Sequence, residues 1–178
     1  MSTLAVNTIT AETGNTVSLA SGKTLDASQG FTPPAGHVVQ VVTNKSNSPS
    51  AFTTSSTSYV TSDNMPKATI TPKFSNSKIL IQAMIGMQHD ATGQIENTIY
   101  RTTGGAATDL SGGNSYGLAF KGTGTGTFWT ECNISWDDSP NTTSAVEYKW
   151  YSRAESAVSI TPNHHGCSIS MTLIEIAQ

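Results

Sequence analysis

The sequence predicts an all-β protein: a jelly-roll-like antiparallel β-sandwich preceded by a short N-terminal β stem. Only 12% of its 178 residues are charged, whereas typical soluble domains carry about 25%. Thr, Ser, Gly and Asn fill much of the gap, with 27, 23, 15 and 11 residues. Apolar and polar residues alternate in several segments, which is the period of half-buried strands. Turn-forming clusters separate about eight such segments, and this spacing is typical of a sandwich.

Residues 1–36 differ from the rest of the chain and form the predicted stem. They contain two or three very short strands, with too few apolar side chains to close a core. Such a segment is ordered only when the main domain or other copies of the chain cover it. Two prolines within residues 31–36 predict a stiff joint before the sandwich domain, residues 37–178. The sparse apolar residues of the stem include Leu4, Val6, Ile9, Val17, Leu19 and Leu25.

The clearest strand of the sandwich domain lies at residues 79–89. On its even face, Leu80 and Met84 stand among polar residues, so this strand is expected to contact something beyond its own core. A helix would instead place Ile81, Met84, Ile85 and Gln88 on one side. The isoleucine content and the flanking Pro, Asn and Gly residues favour a strand. Its odd positions form one apolar face: Ile79, Ile81, Ala83, Ile85 and Met87.

Alternation elsewhere predicts a first strand near residue 39 and three further strands, at residues 128–136, 146–151 and 167–173. The aromatic residues Trp136, Tyr148 and Trp150 are expected in the core. After Leu173 the apolar phase changes to Ile174 and Ile176. This change predicts a β-bulge, or a strand that changes its partner, near Leu173.

Bulk properties exclude several classes of protein. A pI near 5.7 and nine basic residues provide no basic surface for nucleic acid. The chain has no run of about 18 apolar residues, so membrane insertion is not expected. Its start lacks the basic and apolar regions of a signal peptide, and two cysteines cannot form a disulfide framework. We therefore expect a protein that is made and assembled in a cytoplasm.

Motifs for nucleotide binding and catalysis fail on their spacing. Gly-Lys-Thr at residues 22–24 resembles the end of a phosphate-binding loop, but the leading glycine would have to stand at Val17. The glycines of residues 122–126 lack the spacing of a dinucleotide fingerprint, and no helix follows them. The chain has no Gly-x-Ser-x-Gly elbow. Neither an enzymatic activity nor a cofactor is expected.

Two pairs of residues could in principle hold a metal ion. Adjacent residues on a strand point to opposite faces, so His164 and His165 cannot readily bind one ion together. A symmetric site with one histidine from each of several subunits stays open. Asp137 and Asp138 precede a Ser-Pro pair and are interpreted as turn residues, whose side chains bond to their own backbone.

Four aromatic residues are expected on outer faces or in loops, where they could stack on sugar rings. The alternative for each of them is packing at a subunit interface or a sheet edge. These candidate recognition residues are Tyr100, Tyr116, Trp129 and Tyr151.

Short motifs along nearly the whole chain resemble those of short tail-fibre-like virion structural proteins of marine bacteriophages, including cyanophages. At the N-terminus these are Leu-Ala-Val-Asn-Thr-Ile at residues 4–9 and Ser-Gly-Lys-Thr-Leu-Asp at residues 21–26. Further on they are residues 77–81, residues 138–140 ahead of Tyr148-Lys149, and residues 170–176. The resemblance implies a homotrimer of jelly-roll domains on a slender stem. It implies no catalytic or ligand-binding residues.

Two functions are weighed for a protein located in the virion. The first is a short trimeric tail fibre or fibre tip, attached to phage tail proteins through residues 1–36, that contacts a glycan or protein of the host surface. The alternative is a capsid decoration (cement) or head-fibre protein that binds and stabilises the phage head. In either trimer the six stem residues named above, together with Leu80 and Met84, are expected at the subunit interface. A glycan-degrading enzyme is a third option without paired carboxylates to support it.

Overall fold

A computed structural model describes residues 21–22, 32–47, 50–90, 93–122, 126–155, 160–162 and 167–178. The chain divides into two compact units, Met1–Thr32 and Pro33–Gln178. The predicted stem residues Leu4, Val6, Ile9, Val17, Leu19 and Leu25 lie outside the described residues, as do His164 and His165. Their predicted roles stay predictions.

Within the described residues the chain forms ten β-strands and no helix. The predicted all-β class is therefore confirmed. The strands are β1 (Val38–Ser46), β2 (Lys67–Ile70), β3 (Lys78–Asp90), β4 (Ile95–Thr102), β5 (Thr108–Asp109), β6 (Ala119–Lys121), β7 (Thr127–Asp138), β8 (Val146–Ala154), β9 (Ile160–Pro162) and β10 (Ile169–Ile176).

The strands form two five-stranded sheets. Sheet 1 has the order β1-β10-β3-β7, with β9 beside β3, and sheet 2 has the order β2-β8-β4-β5, with β6 beside β4. Paired strands run antiparallel in both sheets. The chain passes repeatedly from one sheet to the other, and the first and last strands are neighbours. This strand order is that of a jelly roll, built from two interlocked Greek keys.

The core lies between the two sheets and is built from alternating positions. The odd residues of β3 from Ile79 to Met87 are buried as predicted, and they pack in one cluster with apolar even residues of β8, including Tyr148 and Trp150. The helical interpretation of residues 79–89 is wrong, because β10 and β7 pair with β3 along its length. Trp136 is 43% exposed. Its expected burial is wrong because it lies near the end of β7, which is an edge strand of sheet 1 within the described residues.

The expected bulge near Leu173 is also wrong. The pairing of β10 with β3 runs without a break from Ser170 to Ile176, and the inward phase continues past Leu173 to Glu175. A carboxylate thus occupies the inward position for which an apolar side chain was expected. The irregularity lies instead in β1, where the register shifts between Val38 and Gln40.

Glu175 is fully buried, and four donors compensate its burial. Its Oε1 accepts hydrogen bonds from the Ser77 hydroxyl at 2.7 Å and from the backbone amides of residues 73 and 74 at 2.7 and 3.2 Å. Its Oε2 accepts one from the Gln40 amide at 2.6 Å. These bonds join β10 to β1 and to the turn that precedes β3. Burying a carboxylate without a cation requires such a set of donors.

Polar side chains also connect the two sheets. Asp138, at the end of β7 in sheet 1, accepts hydrogen bonds from Arg101 at 2.8 and 3.0 Å and from the Tyr148 hydroxyl at 2.8 Å, both in sheet 2. The interpretation of Asp138 as a turn residue therefore missed a link between the sheets. In the centre of the core, the Trp150 indole and the Ser152 hydroxyl both donate to the Asn97 amide oxygen, at 3.1 and 2.8 Å.

The buried Glu175 carboxylate makes stability depend on pH. Burial alone would raise its pKa, but the hydrogen bonds from Ser77, Gln40 and the two backbone amides outweigh burial and hold the pKa below its ordinary value of 4.5. Because the folded-state pKa is the lower one, the carboxylate stabilises the fold above about pH 4.5, and this contribution is lost as the pH falls through the folded-state pKa.

We expect Glu175→Gln to lower the free energy of unfolding at neutral pH by about 1–3 kcal/mol. The NH2 group of the glutamine would point at hydrogen-bond donors, from which it cannot accept a hydrogen bond. The variant should also lose part of the acid-induced decline in stability. Urea titrations at a series of pH values measure both effects. Glu147→Gln, at a partly exposed outer position of β8, is the control, and an equal effect of the two substitutions would contradict this account.

Candidate functional site

Two outer sheet faces are the candidate functional surfaces. Among the described residues, no group of three or more His, Cys, Asp or Glu side chains could hold a metal ion. In the same part of the chain no helix is long and apolar enough to cross a membrane.

The outer face of sheet 1 (the sheet 1 face) has an uncharged centre. Met84 is 37% exposed, and Leu80, four residues earlier on the same face of β3, is partly buried. Met84 lines two adjoining shallow depressions in this face. Three cross-strand rows run over the face: Val41–Ile174–Leu80–Asp137, Thr43–Thr172–Gln82–Ser135 and Lys45–Ser170–Met84–Asn133.

Charged side chains of the sheet 1 face stand at its margins. Lys78 pairs with Asp137 at 3.0 Å at one end of the sheet, and both are largely exposed. Lys45 lies on the edge strand β1 and Glu131 on the opposite edge strand β7. Because interface cores are depleted in charge and their rims are polar, this distribution is typical of a surface that packs against another protein surface.

The outer face of sheet 2 carries charged and aromatic residues in cross-strand rows. Strand register places Phe120 of β6 beside Glu96 of β4, and Glu96 beside Arg153 of β8. In the next row Thr98 faces Tyr151. The row after it runs Asp109–Tyr100–Lys149–Lys67 across β5, β4, β8 and β2.

Three tyrosines on this face form a continuous group, which we call the tyrosine patch: Tyr59, Tyr100 and Tyr151. The rings of Tyr100 and Tyr151 have centroids 4.2 Å apart, and Tyr59 meets Tyr100 edge-on at 6.3 Å. The Arg153 guanidinium carbon lies 4.7 Å from the centre of the Tyr59 ring, a cation–π distance.

The charges around the tyrosine patch are paired with one another. Arg153 donates to the buried Glu96 carboxylate and to the carbonyl of Ser115. Asp109 accepts the Thr98 hydroxyl at 2.6 Å and the Ser111 hydroxyl at 2.8 Å.

Lysines at the margin of the tyrosine patch are paired as well. Lys67 and Lys149 both approach Asp63, at 3.0 and 3.3 Å. The face is thus rich in charged groups, but the positive and negative side chains named here balance one another.

Two of the tyrosines have pKa values above the ordinary value of 10. Burial raises the pKa of Tyr59 to about 12. Burial, followed by the negative charge of Asp109, also raises the pKa of Tyr100. Both shifts reflect the partial withdrawal of these phenols from solvent.

A loop beside the patch carries a second aromatic pair. Tyr116 and Phe120 are 50% and 56% exposed, with ring centroids 5.1 Å apart. Gly117 brings this loop against β4: its φ is +69°, and a Cβ there would lie 2.3 Å from the Asn97 carbonyl oxygen and 2.6 Å from the Tyr59 hydroxyl. Only glycine permits this approach.

The structure brings together two of the four candidate recognition residues. Tyr100 and Tyr151 are in direct contact, whereas Tyr116 lies on the neighbouring loop. Trp129, 66% exposed, lies on β7 and belongs to the sheet 1 face, on the other side of the sandwich. The sequence analysis missed Tyr59 and Phe120. Tyr59 follows a Ser/Thr-rich segment without alternation, so no pattern marked it.

The Arg153–Glu96 pair allows a direct test of how the patch is held. Arg153→Met leaves the Glu96 carboxylate buried without its cation, which we expect to cost about 3 kcal/mol of unfolding free energy. Adding Glu96→Gln to Arg153→Met should recover part of this loss, since it removes the unpaired charge. Chemical denaturation of the three proteins measures both steps.

Lys149→Met is the matched control on the same strand. Its partner Asp63 is exposed to solvent, so stability should change little. If Arg153→Met and Lys149→Met had the same effect, the ion pair could not be what holds the patch.

No protein-family model matches the chain, and no curated protein sequence matches it.

Proposed function

We propose that the protein is a bacteriophage virion structural protein, a short trimeric tail fibre or fibre tip attached through residues 1–36 and contacting the host surface. The observation that carries this proposal is the sheet 1 face, with its uncharged centre and its exposed or half-exposed apolar side chains. The resemblance of the short sequence motifs to phage tail-fibre-like proteins supports the same assignment.

Self-association is the first element of the proposal. The cores of protein interfaces are depleted in charged residues, and the centre of the sheet 1 face has this property. Obligate interfaces bury about 2,000–5,000 Å², which would offset the small apolar content of this chain. In the proposed trimer, Leu80 and Met84 lie at the interface together with the stem residues of each copy.

The direction of the sandwich supports an adsorption role. Gly36 and His37 form backbone hydrogen bonds with Ala177, at 2.8 and 2.9 Å, so the chain enters the sandwich at the end where β10 finishes. The last residues of β3, β6 and β8 and the first residues of β4 and β7 lie at the opposite end, as the strand register requires. Arg153 and Phe120 stand towards this far end. In the proposed fibre, the residues that contact the host would belong to this far end of the sandwich, opposite the point where residues 36 and 37 enter it.

Leu80→Asp tests the proposed interface. An aspartate at this position would face Asp137 on the neighbouring strand and would place a charge in the row that Leu80 shares with Val41 and Ile174. We expect the trimer to dissociate, as measured by analytical ultracentrifugation, while the β-rich circular dichroism spectrum is kept. Thr69→Asp, on the exposed outer face of sheet 2, is the control. A monomeric wild-type protein, or an intact Leu80→Asp trimer with native melting, would contradict the interface.

Immunogold electron microscopy of intact phage particles tests the location. Antibody against the sandwich domain should place gold on the tail. Gold over the head would instead support the alternative, a capsid decoration or head-fibre protein, and capsid stability would become the property to measure. Absence of the protein from purified particles would overturn both virion roles.

A further inference from the structure

We propose that neighbouring copies in the trimer join edge to edge, with β7 of one copy pairing antiparallel with β1 of the next copy. This inference rests on the proposed function, whose trimer it deepens by naming the strands through which the copies bind. The three sheet 1 faces would then line the trimer axis, and sheet 2 of each copy would lie on the outside.

The long edge strands of the sandwich belong to sheet 1. Within the described residues, the edge strands of sheet 2 are β2, β5 and β6, with four, two and three residues. Short edge strands are one way in which proteins avoid strand pairing with other chains. The edge strands of sheet 1 are longer, with nine residues in β1 and twelve in β7. Sheet 1 can therefore be extended by a strand of another copy at both of its edges.

Strand β7 lacks the features that commonly blunt an edge strand, which are bulges, prolines and lysines. It pairs with β3 along its whole length without a register shift, and it contains neither proline nor lysine. In an antiparallel ladder, alternate residues of an edge strand turn their N–H and C=O groups away from the sheet. Outside this ladder, no backbone–backbone hydrogen bond between described residues engages residues 130–138. Their outward backbone groups are thus available to another strand.

Strand β1 offers a matching edge on the other side of sheet 1. Its inward side chains Gln40 and Asn44 donate to backbone carbonyls beside and within β2, at 2.7 and 2.9 Å. These bonds hold β1 against sheet 2 through side chains and do not use the backbone groups of β1. The register shift of β1 lies between Val38 and Gln40. Residues 41–46 therefore form a regular edge.

The strand directions allow the same pairing at every contact of a ring. Neighbouring strands alternate in direction along β1-β10-β3-β7, so β7 runs opposite to β1. Rotation about an axis parallel to the strands leaves these directions unchanged. Strand β7 of one copy therefore meets β1 of the next copy as an antiparallel pair, and identical contacts of this kind can close a ring.

The width of sheet 1 fits a ring of three copies. Four strands about 4.8 Å apart give a sheet about 19 Å wide. In a triangular prism of that side, each sheet lies about 5.5 Å from the axis, roughly half of the 10 Å or so at which stacked sheets pack. The uncharged centre of the sheet 1 face would fill this space. Its apolar side chains include Val41, Ile174, Leu80 and Met84.

Charge and side-chain type favour one register. With Lys45 of one copy opposite Glu131 of the next, two exposed residues of opposite charge meet on the outer face. Neither forms an ion pair within the part of the chain that the structure describes. The same register places the partly buried Val42 beside the buried Ile134 on the inward side. The apolar core would thus continue across the contact.

Trp136 is an inward residue of β7 that the single copy leaves 43% exposed. It has the same parity as Cys132 and Ile134, which are both buried. In the proposed register it lies opposite Gln40 of the next copy, whose β1 would cover it. Tryptophan is enriched among the residues that contribute most to protein interfaces. Its exposure at this edge therefore supports the contact.

Charge reversal tests the contact between copies. Lys45→Glu should raise the dissociation constant of the trimer about tenfold or more, because like charges would face each other at every contact. Glu131→Lys should act in the same direction. The double variant Lys45→Glu/Glu131→Lys restores opposite charges and should dissociate like the wild type. Analytical ultracentrifugation measures these constants, and circular dichroism checks that each variant keeps the sandwich.

Lys45→Glu combined with Glu147→Lys is the matched control. Glu147 lies on the outer face of sheet 2, so this variant should remain as weak a trimer as Lys45→Glu. Recovery in the control, or no recovery in Lys45→Glu/Glu131→Lys, would overturn the inference.

A disulfide test identifies the strands and the number of copies. Thr43→Cys together with Asn133→Cys, in a Cys167→Ser background, places two thiols opposite each other across the proposed contact. Within one copy, three strand spacings of about 4.8 Å separate β1 from β7, which is too far for a disulfide. Oxidation should produce covalent trimers on a non-reducing gel, whereas each single cysteine substitution should stay monomeric there.

Three outcomes of the disulfide test would overturn the inference. Absence of cross-links in the double cysteine variant would exclude the pairing of β7 with β1. Covalent dimers of Asn133→Cys alone would show that β7 pairs with β7 of a partner. Bands larger than the trimer would exclude a closed ring of three.

Failure of this inference is distinguishable from failure of the proposed function. A trimer that dissociates on Leu80→Asp but forms no cross-link between β1 and β7 would overturn the edge pairing alone. Cross-linked trimers of a protein that is absent from phage particles would overturn the virion role alone.

Discussion

The structure depends on burying one face of each sheet with a small supply of apolar side chains. Only 36% of the residues are apolar, and the inward positions of β3, β8 and β10 use many of them. Each of these strands alternates strictly, so a single cluster of side chains holds both sheets. Because burial of apolar area is the main favourable term in folding, few apolar residues are left for the outer surfaces. Both outer faces are therefore largely polar.

Hydrogen bonds of buried polar side chains add to the stability that the small apolar core provides. Glu175 and Asn97 are two such side chains, and both have hydrogen-bond partners. Glu175 takes an inward position on β10 and gathers donors from β1 and from the turn before β3. Asn97 joins Trp150 and Ser152 inside the core. Such groups are costly when unpaired, and their directional bonds favour one register over its neighbours. They help to specify how the two sheets pack.

The two outer faces differ in where their charged groups stand. The sheet 1 face has charge only at its margins, as expected of a surface that contacts other protein surfaces. The outer face of sheet 2 carries ion pairs and three tyrosines in contact, held by strand register and by the close approach of the loop at Gly117. In the proposed fibre the first face would serve assembly, and the second would remain exposed.

The sequence by itself determined the all-β class, the strand at residues 79–89 and the outward position of Leu80, Met84 and Tyr151, because apolar and polar residues alternate locally with a period of two. It also marked Tyr148 and Trp150 as core residues. Only the tertiary structure decided the strand order, since the pairing of β1 with β10 joins residues that are far apart in the chain. It likewise decided that Glu175 is buried and that Tyr59 joins Tyr100, because both depend on partners from distant segments. Local patterns show which way a side chain points, whereas its neighbours across space are determined by how the sheets pair and pack.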